Sequence, residues 1–387
     1  MLKINWQRAV IKVGSALVAP QALPTDANSA NTIHAQSDHL RYIHAISEFI
    51  ATSIAQGKEV ILVSSGSIAL ARAKIKTGLK ATIAEKQAMA ALGQTKMMAQ
   101  WARAFEHADA SKHIDCAQVL LTVDDLADRK RFVNIKNTLE QLLINGALPI
   151  VNENDTVAVD EIKVGDNDNL AAHTAIAANA DCLIICTDVD GLFTSNPRID
   201  ANAQLISEVA RIDQNVMALA GGAGSLVGTG GMITKLQAAQ KCTQSGIQTV
   251  LVNGTKADSF AALAAGNCPG TWFAPVQGRQ RSRQDWLTHT SKVKGQIEVD
   301  KGAHAALLAS GASLLAVGII DVKGRFSAGD SVEVVHHERV IAKGLVNYAS
   351  TELARIQGCN SKKIHEILGY QAGEAVIHRD NLVLSER

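Results

Sequence analysis

A chain of 387 residues exceeds one ordinary domain, so two or three are expected. With 47% hydrophobic residues, 19% charged residues and a formal net charge of +1, it describes a globular protein with a sizeable core. That balance excludes a nucleic-acid-binding tail and a membrane-seeking surface. The six cysteines are scattered without CxxC pairing, and Cys182 and Cys186 stand in the apolar run DCLIIC as packing residues. A reducing, cytoplasmic location is therefore expected. No apolar run reaches membrane-spanning length, and AVIKVGSALVAP is broken by Lys12 and lacks a basic lead-in, which argues against a signal peptide.

Taken in order, Arg8 to Gly14 predicts a buried strand ending in a glycine turn. Lys12 lies inside it, and a lysine there costs desolvation unless it meets an anion or reaches past the sheet edge. Ser37 to Gln56 has apolar residues at helical spacing and stops at Gly57. Lys58 to Val63 predicts a second strand, running through Ser64-Ser65-Gly66-Ser67 into a helix. Small hydroxyl residues and glycine at such a junction suit either an ordinary capped turn or an anion site. Ile83 to His107 predicts a long helix or helix pair, with Gly93-Gln94 the expected break and Met97, Met98 and Trp101 assigned to the core or to a subunit contact. A strand from Ile114 to Leu121 and a helix from Asp128 to Asn145 follow.

The most informative stretch is PIVNENDTVAVDEIKVGDNDNL, from Pro149 to Leu170. An apolar strand passes abruptly into Asn152-Glu153-Asn154-Asp155, and Asp166-Asn167-Asp168-Asn169 stand where an alanine-rich helix begins. Asn and Asp are also common turn and cap residues. Two such clusters so close together point to a polar pocket suited to a small zwitterion, because Asn donates and accepts while ionised Asp accepts. Cys182 to Thr187 predicts another strand, closing on Asp188-Val189-Asp190-Gly191. VGTGGMITK, Val227 to Lys235, is glycine-rich and leads into a helix, but has neither P-loop nor dinucleotide spacing. Ile247 to Val252 is the expected last strand of this domain.

Alternating strands and helices predict a mainly parallel sheet sandwiched by helices, an α/β architecture with ligands at the carboxyl ends of its strands. The loops after Val13, Val63, Val151 and Cys186 all lie there. From Thr271 the texture changes, QGRQRSR reads as a basic linker, and the remainder predicts a small, mostly β domain. Its 15 Lys+Arg against 12 Asp+Glu, counted from Arg279, fall short of a nucleic-acid surface. The expected limits are 1–275 for the first domain, 276–294 for the linker and 295–387 for the second domain.

VIKVGSA, LVSSGSIA, ALGQ, NENDTVA, IKVGDNDNL, TDVDGL and GTGGMITK occur in this order. Together they resemble the glutamate 5-kinases (γ-glutamyl kinases) of the amino-acid-kinase fold, whose bacterial members often carry a C-terminal PUA domain. Gly324 to Asp330, GRFSAGD, is similar to that module. The resemblance implies ATP-dependent phosphorylation of the γ-carboxylate of L-glutamate, the first step of proline biosynthesis, with Mg2+ carried on the nucleotide. It implies glutamate binding by Ser65, Asp155 and Asn167, and ATP binding by Lys12, Thr187, Asp188 and the loop Thr229-Gly230-Gly231-Met232-Ile233-Thr234-Lys235. Lys12 and Lys235 are the implied catalytic lysines, held in place by Asp168; few protein ligands to the magnesium are expected, and none is named. A homo-oligomer, dimer or tetramer, and feedback inhibition by L-proline are further implications; RNA is not expected as the main partner. Two alternatives stand beside this one: another amino-acid or carbamate kinase of the same fold, and an RNA-binding protein built on the C-terminal module.

Overall fold

The computed structural model describes residues 2–19, 29–72, 81–108, 113–158, 166–220, 231–276, 293–310 and 312–384. The chain forms two compact units: Met1–Leu126 with Thr138–Gln277, and Ala127–Asn137 with Gly278–Arg387.

The first unit is built on a sheet whose early strands are β1 (Arg8–Val13), β2 (Glu59–Ser64), β3 (Cys116–Leu121), β4 (Leu148–Glu153) and β5 (Cys182–Thr187). Two short pieces, β6 (Leu192–Phe193) and β7 (Leu205–Ile206), pair with each other outside it. β8 (Glu208–Val209), β9 (Gln248–Asn253) and β10 (Thr271–Phe273) complete the sheet in the order β3-β4-β2-β1-β5-β9-β10-β8. The strands from β3 to β9 run parallel, whereas β10 turns back against β9 and β8 runs parallel to β10. β9 is therefore not the last strand of its domain: Thr271–Phe273, where the composition changes, still belongs to the sheet. Three residues are too few to show a period.

Alternation along β1 decides which face does what. Ala9, Ile11 and Val13 enter a core with Ile43, Ile46, Phe49 and Ile50 of helix Ser29–Ala55 and Met97, Trp101 and Phe105 of helix Ile83–Ala108. Lys12 faces the other way, toward helix Asp166–Ala177. Central parallel strands are covered on both faces, so β2 and β5 read as nearly continuous apolar runs and β1 as one interrupted by Lys12 alone.

Helix Ile83–Ala108 is continuous, and the expected break at Gly93-Gln94 does not occur. Gly93 is there for close packing: a Cβ on it would fall 1.6 Å from the Ser67 carbonyl oxygen. The helix thereby lies directly on the turn after β2. Met97 and Trp101 are fully buried within this unit, which settles them as core residues and removes them as a subunit contact.

The second unit carries a five-stranded sheet of β11 (Val293–Val299), β13 (Ile319–Gly324), β14 (Ser331–His336), β15 (Arg339–Leu345) and β17 (Leu382–Leu384), ordered β13-β11-β14-β15-β17. β12 (Leu314–Leu315) and β16 (Ala375–Ile377) pair separately. A two-residue turn joins β14 to β15, with His337 and Glu338 both at positive φ, the backbone that matches strand twist in tight hairpins. The core gathers Ile297, Val334, Tyr348, Ile356 and Val376. The Tyr348 hydroxyl donates to the Gly373 carbonyl at 2.6 Å, so this buried phenol is not left unpaired.

Candidate active site

The carboxyl ends of the central strands finish level: Lys12 stands opposite both Val63 and Ile185, and Val63 stands opposite Val151. One edge of the sheet thus carries Lys12, Ser64-Ser65, Asn152 and Thr187 from four different strands or their exits. The turn after β2 favours Gly66, whose φ of +117 strains any side chain and where a Cβ would fall 3.0 Å from the Val18 side chain. Two helices start at the same edge. Asp166–Ala177 brings Asn167 and Asp168 in its first turn, and Met232–Gln244, capped at Gly231, brings Thr234 and Lys235 in its own.

Asp168 is the centre of the cationic half. Its carboxylate is fully buried; Oδ1 lies 2.6 Å from Lys12 Nζ and Oδ2 lies 3.2 Å from Lys235 Nζ. Thr234 Oγ1 donates to the same Oδ2 at 2.7 Å. Burial by itself would raise the Asp168 pKa, but the two ammonium groups and the hydrogen bonds from Lys12 and Thr234 outweigh it and hold the carboxyl below its usual range. For Lys12, burial and the like charge of Lys235 pull the pKa below the ordinary lysine value, while Asp168 opposes them. One anion between two cations leaves a net positive charge in a nearly dry place. That is the electrostatics of a site for a polyanion.

The polar half is a run of side-chain amides. Asn167 Nδ2 donates to Ser65 Oγ at 2.6 Å and to Asn152 Oδ1 at 3.0 Å, and Asn152 Nδ2 donates to Gln94 Oε1 at 2.9 Å. Asn167 and Asp168 are sequence neighbours, so the amide run and the lysine cluster share one helical turn. Asp155 lies buried in the turn after β4, where Thr156 Oγ1 caps Asn154 Oδ1 at 2.6 Å.

The structure brings Lys12, Asp168, Thr234 and Lys235 together by direct contact, and likewise Ser65 and Asn167. Thr187 and Asp188 form a separate contact: Thr187 Oγ1 donates to Asp188 Oδ1 at 3.2 Å, and Arg198 reaches Asp188 Oδ2 at 2.8 Å. Met232 and Ile233 sit on the opening turn of the Lys235 helix, with Ile233 exposed. Thr229 and Gly230 lie outside the described residues. Sequence reasoning placed Asn152 in the polar cluster without a partner and passed over Gln94 and Arg198. Asn152 stands in the NEND string and Gln94 in ALGQ, so the signal was present as motif membership. Among the described residues no group of three or more His, Cys, Asp or Glu is arranged to hold a metal ion. No helix among them is long and apolar enough to cross a membrane.

The amino acid kinase family profile matches residues 7–253, and the PUA domain profile matches residues 295–368. The glutamate 5-kinase of Salinibacter ruber is 46% identical over 387 residues, covering 98% of each chain. That of Idiomarina loihiensis is 45% identical over 385 residues, covering 99% of this chain and 98% of the relative. Among solved structures, carbamate kinase from Giardia lamblia bound to AMP-PNP is 16% identical, with a TM-score of 0.49, covering 69% of this chain and 98% of that one. With near full-length identity above 40% to glutamate 5-kinases, the chain belongs to the amino acid kinase family, within its glutamate 5-kinase branch.

Proposed function

We propose that this chain transfers the γ-phosphoryl group of ATP to the γ-carboxylate of L-glutamate, giving γ-glutamyl phosphate and ADP, the step that opens proline biosynthesis. The observation that carries the reading is Asp168 holding Lys12 and Lys235 beside the Ser65–Asn167–Asn152 amides. A carboxylate is already a nucleophile at neutral pH, so the reaction needs no general base. An oxygen lone pair of the γ-carboxylate forms the new P–O bond, the bond to the β,γ-bridging oxygen breaks, and ADP leaves with that electron pair. The obstacle is repulsion between two anions, which positioning and charge neutralisation overcome. We assign that neutralisation to Lys12 and Lys235.

Ser65, Asp155 and Asn167 are assigned to glutamate, with the Asp155 carboxylate opposite the substrate ammonium. Thr187, Asp188 and the segment Thr229–Lys235 are assigned to the nucleotide. The residues fit a magnesium ion that arrives on ATP and keeps several waters, because the buried Asp168 carboxylate is already taken up by two ammonium groups. When bound, that ion would neutralise phosphate charge. L-Proline, a compact relative of glutamate, is proposed to compete for the Asp155–Asn169 pocket. A homo-oligomer, dimer or tetramer, is proposed as the working state. The chemistry is placed in residues 1–275, with 295–387 as a separate module.

A coupled assay of ADP release tests the reading against a panel of acceptors: glutamate, N-acetylglutamate, aspartate, carbamate and UMP. Turnover with glutamate well above every other acceptor, falling when L-proline is added, is expected. Preference for any other acceptor would overturn it.

A further inference from the structure

We propose that Gln94 is a positioning residue for the amino-acid acceptor: it fixes the direction of a three-amide relay and so keeps Asn167 Oδ1 open to the substrate ammonium. The inference rests on the glutamate kinase reading above and names a determinant of how that site recognises its substrate.

An amide has a donor end and an acceptor end, so a chain of amides has a direction. Here each link is forced by the next. Asn152 gives its Nδ2 to Gln94 Oε1 at 2.9 Å, which turns Asn152 Oδ1 toward Asn167, and Asn167 answers with its own Nδ2 at 3.0 Å. That Nδ2 also reaches Ser65 Oγ at 2.6 Å. The consequence falls at the end of the relay: Asn167 Oδ1 is buried and has no hydrogen-bond partner among the described residues. An open, buried acceptor is costly in an empty site and well matched to a bound ammonium group.

Gln94 stands at the head of this relay as its acceptor. It is 8% exposed, and its Nε2 is buried with no partner among the described residues, so the acceptor role toward Asn152 is its one side-chain hydrogen bond among them. Turning its amide over would set donor against donor and strand the oxygen in place of the nitrogen. The helix that carries it is fixed to the same frame on either side. Gln87 donates to the Ala158 carbonyl at 3.3 Å and Trp101 Nε1 donates to Ser64 Oγ at 2.8 Å. Gln87, Gln94 and Trp101 are spaced by seven, two helical turns, and form one stripe along the helix. Gly93 lets that stripe press onto Ser67.

Removing the acceptor frees Asn152 to turn over. Asn167 must then turn its own amide to keep their bond, which presents an N–H where the substrate carries its ammonium.

The test uses the purified full-length chain and steady-state kinetics. Gln94→Met keeps helix propensity and volume while deleting the acceptor. It is expected to raise KM for glutamate about tenfold or more, the loss of one hydrogen bond to a charged group, with kcat and KM for ATP moving less than about threefold. Gln94→Glu retains an acceptor oxygen and is expected to hold KM within about threefold of the parent. Inhibition by glutarate, which has no ammonium group, should change less than about threefold in Gln94→Met. Should the methionine variant fail to fold, Gln94→Ala carries the same expectation. An unchanged glutamate KM, a Gln94→Glu variant no better than Gln94→Met, or an equal loss of glutarate binding would each overturn the relay. A parent enzyme that releases no ADP in response to glutamate would instead overturn the function on which it rests.

Discussion

Replacing Asp168 by Asn keeps the shape of the side chain and deletes the one anion that Lys12 and Lys235 share. Both lysines sit in nearly dry places, with side chains 7% and 11% exposed, so neither loses its partner into bulk water. Breaking a buried ion pair from one side costs about 3–5 kcal/mol, because the surviving charge stays desolvated. The site has two ways to reduce that cost: a lysine swings out, or Lys12 gives up its proton. The second is favoured by the balance at Lys12, where burial and Lys235 already lower the pKa and Asp168 is the main opposing influence. Either way one of the two cations proposed to neutralise the phosphoryl group is lost. Loss of one such stabilising donor is worth about 2.7–4 kcal/mol, a 10²–10³-fold fall in kcat. The sign of the pH effect follows. With Asp168 gone the Lys12 pKa drops further, so residual activity should be lost at lower pH on the alkaline side than in the parent. Coupled measurement of ADP release from pH 6 to 10 reads both effects. Asp168→Asn with kcat within about fivefold of the parent and an unmoved alkaline limb would refute the reasoning.

Three further outcomes are expected. Lys235→Ala should lower kcat about 10²–10³-fold while glutamate KM shifts less than about threefold; a large KM effect with near-normal kcat would place this lysine in substrate binding instead. Gly93→Ala should destabilise the protein by about 3 kcal/mol or more, since its Cβ would meet the Ser67 carbonyl oxygen at 1.6 Å, and an unchanged Tm in thermal unfolding would contradict the packing. His173 is half-buried against Lys241, at 3.4 Å, and burial first, then that ammonium, lowers its pKa below 6.5. Its neutral form therefore supports the fold fully above pH 6.5, and this support is lost as pH falls from 6.5 through the lower folded value. Urea midpoints at pH 7.5 and 5.5 should drop more for the parent than for His173→Gln, and equal drops would count against it.

Much of the first unit was legible because parallel strands buried on both faces leave continuous apolar runs, and Lys12 is conspicuous inside one. The polar strings at Asn152–Asp155 and Asp166–Asn169 marked the strand and helix ends that build the site. What stayed hidden was tertiary. Gly93 resembles a helix breaker, yet it sits mid-helix because the gain from close packing on Ser67 exceeds its weak intrinsic penalty. Gln94 and Asn152 are 58 residues apart, and no local pattern announces that their amides meet. The Thr234 hydroxyl meets Asp168 from 66 residues away, a contact that no local pattern announces either. β10 is short and reversed, and its pairing depends on an edge that β9 has already laid down.

The lysine pair also makes the centre a gauge of assembly. Lys12 comes from the first strand, Asp168 from a helix that follows β4, and Lys235 from another helix 67 residues further on. No portion shorter than Lys12 to Lys235 owns all three groups, so a unit with either helix undocked lacks the full set. During refolding, catalysis should return in step with the slowest docking event of this unit and never ahead of it.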